Sequence, residues 1–446
     1  MNEDDLAWQA GNYKGLAPRK VGLLLEREHL DLVIRAAVER GEWFCAERAV
    51  RELCESGEFA RALAVMEPFV MTGWAGAVWA KAGVLLRAGR TREARELVLA
   101  DEDRAASPAV CRDFAELLAI AGRVDEAIEL LVPHVGDPTA RTALVHITEG
   151  TDHDEQVLAL LSPDTDVLRA RVLERSGRND EALRVLGAAA VSDPTTASLT
   201  VYAEALARHG RLAELRELAE RHPHDFLDVY AGALWDRGRA AEAETVMREV
   251  IVLDGWVGYR SWLSTALLHR EGRLDDAIAV AEPGFSWYDC SNLLAPLVHL
   301  LLDKPEELLR LLDHPLTVPH GGHEEFQHWW RAHALADLGR IEEALAVAET
   351  DPNPWTDPGI IRAGLLSAAG DLTAAATELR GLGTLMAREE LFEVLVRQGQ
   401  AAEGIAVHPT VAEQRAAQKS ADERQDSEAG TEDLRREGGY AAEPPF

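Results

Sequence analysis

Gly-Arg dipeptides recur along this chain, at Gly89, Gly122, Gly177, Gly210, Gly238, Gly272 and Gly339. Alanine stands five residues past all of these glycines but Gly210, at Ala94, Ala127, Ala182, Ala243, Ala277 and Ala344; Leu215 is the exception. Successive glycines lie 33, 55, 33, 28, 34 and 67 residues apart. A signal at this period means stacked copies of one supersecondary unit rather than a single globular core. The two long gaps read as paired units with a degraded middle member. Gly150 divides the first, and Asp303-Lys304-Pro305 stands in the second as a turn without its glycine. Further members follow at Gly370 and Gly399, and earlier ones at Gly57 and Gly41.

Each glycine falls where one helical pattern must stop and another begins. Before Gly177 runs Val167-Leu168-Arg169-Ala170-Arg171-Val172-Leu173, and after it Asn179-Asp180-Glu181-Ala182-Leu183-Arg184-Val185. Both carry apolar residues at helical spacing. A glycine just past a helix takes the left-handed conformation without a Cβ clash and reverses the chain. Asp180-Glu181 and Glu342-Glu343 place acid in the following first turn, where the helix dipole favours it. A second alanine set stands seven before the glycines, at Ala82, Ala115, Ala170, Ala203, Ala231, Ala332 and Ala363. The two sets predict a seam where antiparallel helices approach to about 8–10 Å.

This pattern resembles the tetratricopeptide repeat, whose unit carries small residues at these places, glycine between its helices and proline near its end. The resemblance covers residues 21–410 and implies an all-α, right-handed α-solenoid of about eleven antiparallel helix pairs. The family's usual first-helix tryptophan and the tyrosine before the second alanine are mostly missing here. Residues 1–20 read as a loosely structured lead-in. Residues 411–446, rich in Glu, Gln, Ser and Arg, read as a disordered charged tail.

Charge narrows the functional classes. The net charge of −31 disfavours nucleic acid and anionic membranes and leaves basic or neutral proteins as partners. No apolar run approaches the ~20 residues of a membrane span. The acidic start Met1-Asn2-Glu3-Asp4-Asp5 does not resemble a signal sequence, so a cytoplasmic location is expected. Abundant arginine and alanine suggest a GC-rich bacterial source. The cysteines Cys45, Cys54, Cys111 and Cys290 lack metal or redox spacing and read as small core residues.

No nucleophile-base set or phosphate loop stands out, so no enzyme activity, cofactor or catalytic residue is expected. His314, His320, His323, His328 and His333 crowd together, but the five-residue steps from His323 to His328 and to His333 do not share a helix face, and no metal site is assigned. A carboxylate clamp, by which some tetratricopeptide proteins hold chaperone tails, would find few basic residues and none of the expected asparagines at its positions here. The aromatic signal is stronger. In the resembled family the first helix of each pair lines a concave groove. Counting back from the glycines puts Asp225, Asp228 and Trp235 there in one unit, Tyr259, Trp262, His269 and Arg270 in the next, and Phe326, Trp329 and His333 later. Large rings beside charges suit a peptide groove, although the same rings would also fill gaps between irregular repeats. The expectation is a protein- or peptide-binding scaffold anchored by Trp262 and Trp329. The alternative is a small-molecule or metal sensor in residues 256–337.

Overall fold

In the computed structural model, each recurring glycine closes one helix in the left-handed region. Gly89, Gly122, Gly177 and Gly339 have φ of 72°, 76°, 75° and 73°. The arginine after the glycine donates its N–H back to the carbonyl five residues earlier, as Arg90 does to Leu85 and Arg178 to Leu173, both at 2.8 Å. The next helix starts at once. The structure describes residues 1–100, 102–162, 164–254, 257–284, 290–314, 324–350 and 357–420. Among them the chain is an all-α solenoid of antiparallel helix pairs, from Trp43–Glu55 with Phe59–Val70 to Leu385–Arg397 with Ala401–Val407. Both expected turns in the long gaps are present. Gly150 separates Pro138–Ile147 from the short helix Asp154–Leu160, and Asp303-Lys304 joins Cys290–Leu301 to Pro305–Leu312 without a glycine. Counted by these turns there are twelve pairs among the described residues, one more than expected.

The seam is as the alanines require. Ala94, Ala127, Ala182, Ala243, Ala277 and Ala344 are fully buried, and so are Ala82, Ala115, Ala203, Ala231 and Ala332. The arginine of each dipeptide has a role that helix capping alone does not predict. Its guanidinium folds forward onto the carboxylate three residues on, as in Arg90–Glu93 (2.5 Å), Arg178–Glu181 (2.7 Å), Arg273–Asp276 (2.6 Å) and Arg340–Glu343 (2.6 Å). Several also reach the preceding pair, as in Arg178–Glu155 (3.1 Å), Arg211–Asp180 (3.3 Å) and Arg273–Glu244 (2.8 Å). Such half-exposed pairs contribute little singly, about 0–1 kcal/mol each. The contacts that reach back, at Arg178, Arg211 and Arg273, tie one pair to the pair before it.

The helices form two compact units, Met1–Ala100 with Trp355–Phe446, and Asp101–Pro354. In the first, both ends of the chain share one core. Phe392, Val396, Ala401 and Ile405 pack with Leu16, Val21, Ala36 and Ala37. A buried polar network accompanies them. Gln9 donates to the Gly41 carbonyl (2.9 Å) and accepts from the Trp43 N–H (2.9 Å). Glu42 accepts from the Leu16 N–H (2.8 Å), and Gln414 accepts from the Gly15 N–H (2.9 Å). The expected lead-in therefore contains a capped helix, Glu3–Asn12, with Leu6 and Gln9 buried. Residues 411–420 are helical, with Val411 and Gln414 buried. The rest of the expected tail, 421–446, lies outside the described residues.

Candidate functional site

The Asp101–Pro354 unit contains a cavity of about 780 Å³ lined from three successive first helices. Pro223–Trp235 contributes Asp228, Val257–Glu271 contributes Tyr259, Trp262, His269 and Arg270, and Cys290–Leu301 contributes Pro296. Five of the residues expected in a groove thus line one concavity. Its size lies within the ~300–1,000 Å³ of pockets that hold ligands or side chains.

The middle helix departs from the repeat, and that departure shapes the pocket. In the other Gly-Arg turns the arginine N–H bonds the carbonyl five residues back; Arg273 bonds Leu267, six back. The first helix therefore carries one extra residue before Gly272. The seam position falls on Ser264, which is fully buried and donates to the Ser261 carbonyl at 3.1 Å. One residue turns a helix by about 100°, so counting back from Gly272 misassigns the faces. Tyr259 consequently sits in the core at 2% exposure, in the register of buried Phe226, rather than opening outward. Its ring forms part of the pocket wall. It stacks on His224 with centroids 6.0 Å apart and planes at 12°, and its hydroxyl lies 3.4 Å from His224 Nδ1. The signal of the extra residue was in the sequence but masked: Leu267-Leu268 offers a leucine in either register.

Trp262 is half-buried and meets the edge of buried Trp235, centroids 6.1 Å apart at 65°. Its ring lies over Gly232, where a Cβ would sit 3.8 Å from Cζ2. Asp228 projects into the cavity with one oxygen accepting the Val229 N–H at 2.8 Å. Burial holds its carboxyl above the ordinary aspartate range, and the like charge of Asp225 pushes the same way. Asp225 itself is exposed in the first turn of its helix. At the rim Arg270 is held by an ion pair to Asp236, one unit back, while His269 is exposed.

Trp329 and His333 form a separate patch. They share the helix Glu324–Asp337, with ring centroids 4.1 Å apart, and the His333 ring contacts the Trp329 carbonyl through Nδ1 (2.8 Å). Trp329 is 44% exposed. The pair Cys290–Leu301 and Pro305–Leu312 intervenes between this helix and Val257–Glu271 in chain order, so Trp329 is not among the residues lining the Trp262 cavity. The Phe326 side chain, His320, His323, Trp256 and Trp287 lie outside the described residues. No group of three metal-ligating side chains comes together among the described residues. Cys45, Cys54 and Cys111 are buried and in no disulfide, and no helix among the described residues is long and apolar enough to cross a membrane.

The tetratricopeptide repeat model matches residues 163–188, 226–249 and 327–350. Each segment falls on one helix pair closed by a Gly-Arg turn, at Gly177, Gly238 and Gly339. The same Gly-Arg turn recurs in unmatched pairs at Gly89, Gly122, Gly210 and Gly272, which supports a divergent array of tetratricopeptide-type repeats. No curated relative matches it. Solved structures similar to it include Naa15/Naa10 bound to HypK-THB, at 16% identity over 81% of this chain and 67% of that one, TM-score 0.38. The pentatricopeptide repeat protein PPR10 from maize matches at 13% identity over 90% and 74%, TM-score 0.32. Yeast Tom70 matches at 11% identity over 85% and 96%, TM-score 0.29.

Proposed function

We propose that this protein is a non-catalytic scaffold that binds a protein or peptide along its first-helix face, with the Asp228–Trp262–Arg270 cavity as its principal pocket and Trp329 as an outlying anchor. One observation carries the reading. Three consecutive first helices contribute to a single concavity in which an indole, a phenol and charged groups converge. That is the composition of an anchor pocket, where a few aromatic contacts dominate affinity. A solenoid presents such a surface as an extended face, which suits a polypeptide better than a compact metabolite.

Affinity capture from the native host, with bound proteins read by mass spectrometry, tests this. Wild type is compared with Trp262→Ala, Trp329→Ala and the double variant, each checked for native helicity by circular dichroism. A partner retained by wild type and lost with Trp262→Ala is the expected result. A partner held equally by all variants would place binding elsewhere on the array. Loss only with Trp329→Ala would make the outlying patch the principal site.

A further inference from the structure

We infer that the Asp228–Trp262 cavity receives a cationic side chain, lysine or arginine, from the partner polypeptide. This rests on the peptide-binding reading above and goes further by naming what enters the pocket.

The argument begins with what surrounds Asp228. Its carboxylate faces a cavity walled by Trp262, Tyr259, Val257 and Pro296. Its hydrogen-bond donors are backbone N–H groups of its own segment, those of Val229 (2.8 Å) and of Asp228 itself, and the charge that acts on it is Asp225, of its own sign. Among the described residues no cation is paired with it. The neighbouring arginines are committed elsewhere: Arg270 to Asp236, Arg237 to the carbonyls of Ala233 and Ala207, Arg260 to the carbonyl of Val280. A half-buried carboxylate with only these local backbone donors leaves hydrogen-bonding capacity unfilled, which costs free energy until a further donor arrives.

The walls select the kind of donor. A lysine or arginine has an aliphatic stem to lie along Trp262 and Pro296 and a charged head to reach the carboxylate. An indole face attracts that head as well. The net charge of −31 draws such a partner toward the array and speeds its arrival. A carboxylate-bearing ligand would instead bring like charge against Asp228.

The probe is a phage-displayed library of random twelve-residue peptides, selected in parallel on wild type, Asp228→Asn, Asp228→Lys and Trp262→Ala, all shown to be folded. Wild type is expected to enrich peptides with lysine or arginine at one fixed position beside an apolar residue. A synthetic copy of the leading peptide should bind Asp228→Asn about tenfold or more weaker. Replacing its basic residue by norleucine should cost wild type the same factor and cost Asp228→Asn little. Asp228→Lys should shift the preference toward acid. Peptides that depend on Trp262 but show no basic preference would overturn this inference and leave the peptide-binding reading standing. An absence of any Trp262-dependent peptide would overturn both. Competition of the peptide by free spermidine but not by its own norleucine analogue would assign the pocket to cations of any source and overturn the commitment to a polypeptide.

Discussion

At the scale of single residues, the alanines show how little room the seam leaves. Ala182 is fully buried where Asn179–Ser192 packs against Asp166–Arg175. Ala182→Trp would force an indole between axes held close by small residues. The expected cost is about 1–3 kcal/mol or more, seen as a lower midpoint in urea; an unchanged midpoint would remove the seam assignment. His408 makes a second residue-level case. It is 1% exposed, its Nδ1 lies 3.0 Å from the Pro409 carbonyl, and its Nε2 lies 3.4 Å from Lys20 Nζ. Burial, with Lys20 and Arg40 adding repulsion, lowers its pKa to about 3. The folded protein thus keeps the ring neutral while the unfolded chain protonates it near pH 6.5. Stability from this group is full above pH 6.5 and is lost as pH falls toward 3. The loss is on the order of 5 kcal/mol. His408→Gln should flatten that part of the acid limb in chemical denaturation between pH 6.5 and 4. Parallel limbs for the two proteins would show that His408 does not titrate across folding.

At the scale of helices and turns, one pair offers two glycines with opposite expected effects. Gly370 closes Pro358–Ala368 at φ 87°, in open space, so Gly370→Ala meets only backbone strain and should destabilise by ~1 kcal/mol. Gly364 is exposed inside the same helix with nothing near its Cβ position, so Gly364→Ala should stabilise by ~0.5–1 kcal/mol. Thermal melts of both variants should move in opposite directions; a shared direction would contradict the turn assignment. This is also the level at which the sequence was most legible. Glycine position, alanine spacing and the glycine-free turn at Asp303-Lys304 were readable because each answers a local steric demand. The arginine-to-carboxylate clasps were present as Gly-Arg-x-x-Glu but were read only as dipole compensation. The pocket was legible in membership and not in orientation. Asp228 was counted from Gly238, whose turn is regular, but Trp262, His269 and Arg270 were named from a count that the extra residue before Gly272 invalidates. Tyr259, named by the same count, belongs to the core. Pro296, from a helix without a turn glycine, had no register from which to be counted.

At the scale of the whole chain, the joining of its ends changes how stability should be distributed. In an open repeat array each pair answers only to its neighbours, and loss of the last pair is felt only by the one before it. Here the last pair supplies Phe392, Val396, Ala401 and Ile405 to a core shared with residues 16–37. Arg40 reaches from the N-terminal helices to the carbonyls of Ile405 and His408, and Arg415 to Asp5. Lys20 donates to the Glu389 carbonyl at 3.0 Å. None of this was foreseeable from periodicity, which reports neighbours in sequence and is silent on contacts nearly four hundred residues apart. Deleting residues 385–446 should therefore loosen helices Glu3–Asn12 to Trp43–Glu55 as well as Leu372–Leu382. Uncovering several buried side chains, each worth ~1 kcal/mol or more, should lower hydrogen-exchange protection of the Leu24, Ala37 and Leu53 amides by a hundredfold or more. If the deletion disturbed exchange only within residues 358–384, the N-terminal helices would be stable through their own neighbours alone, and the shared core would contribute nothing to them.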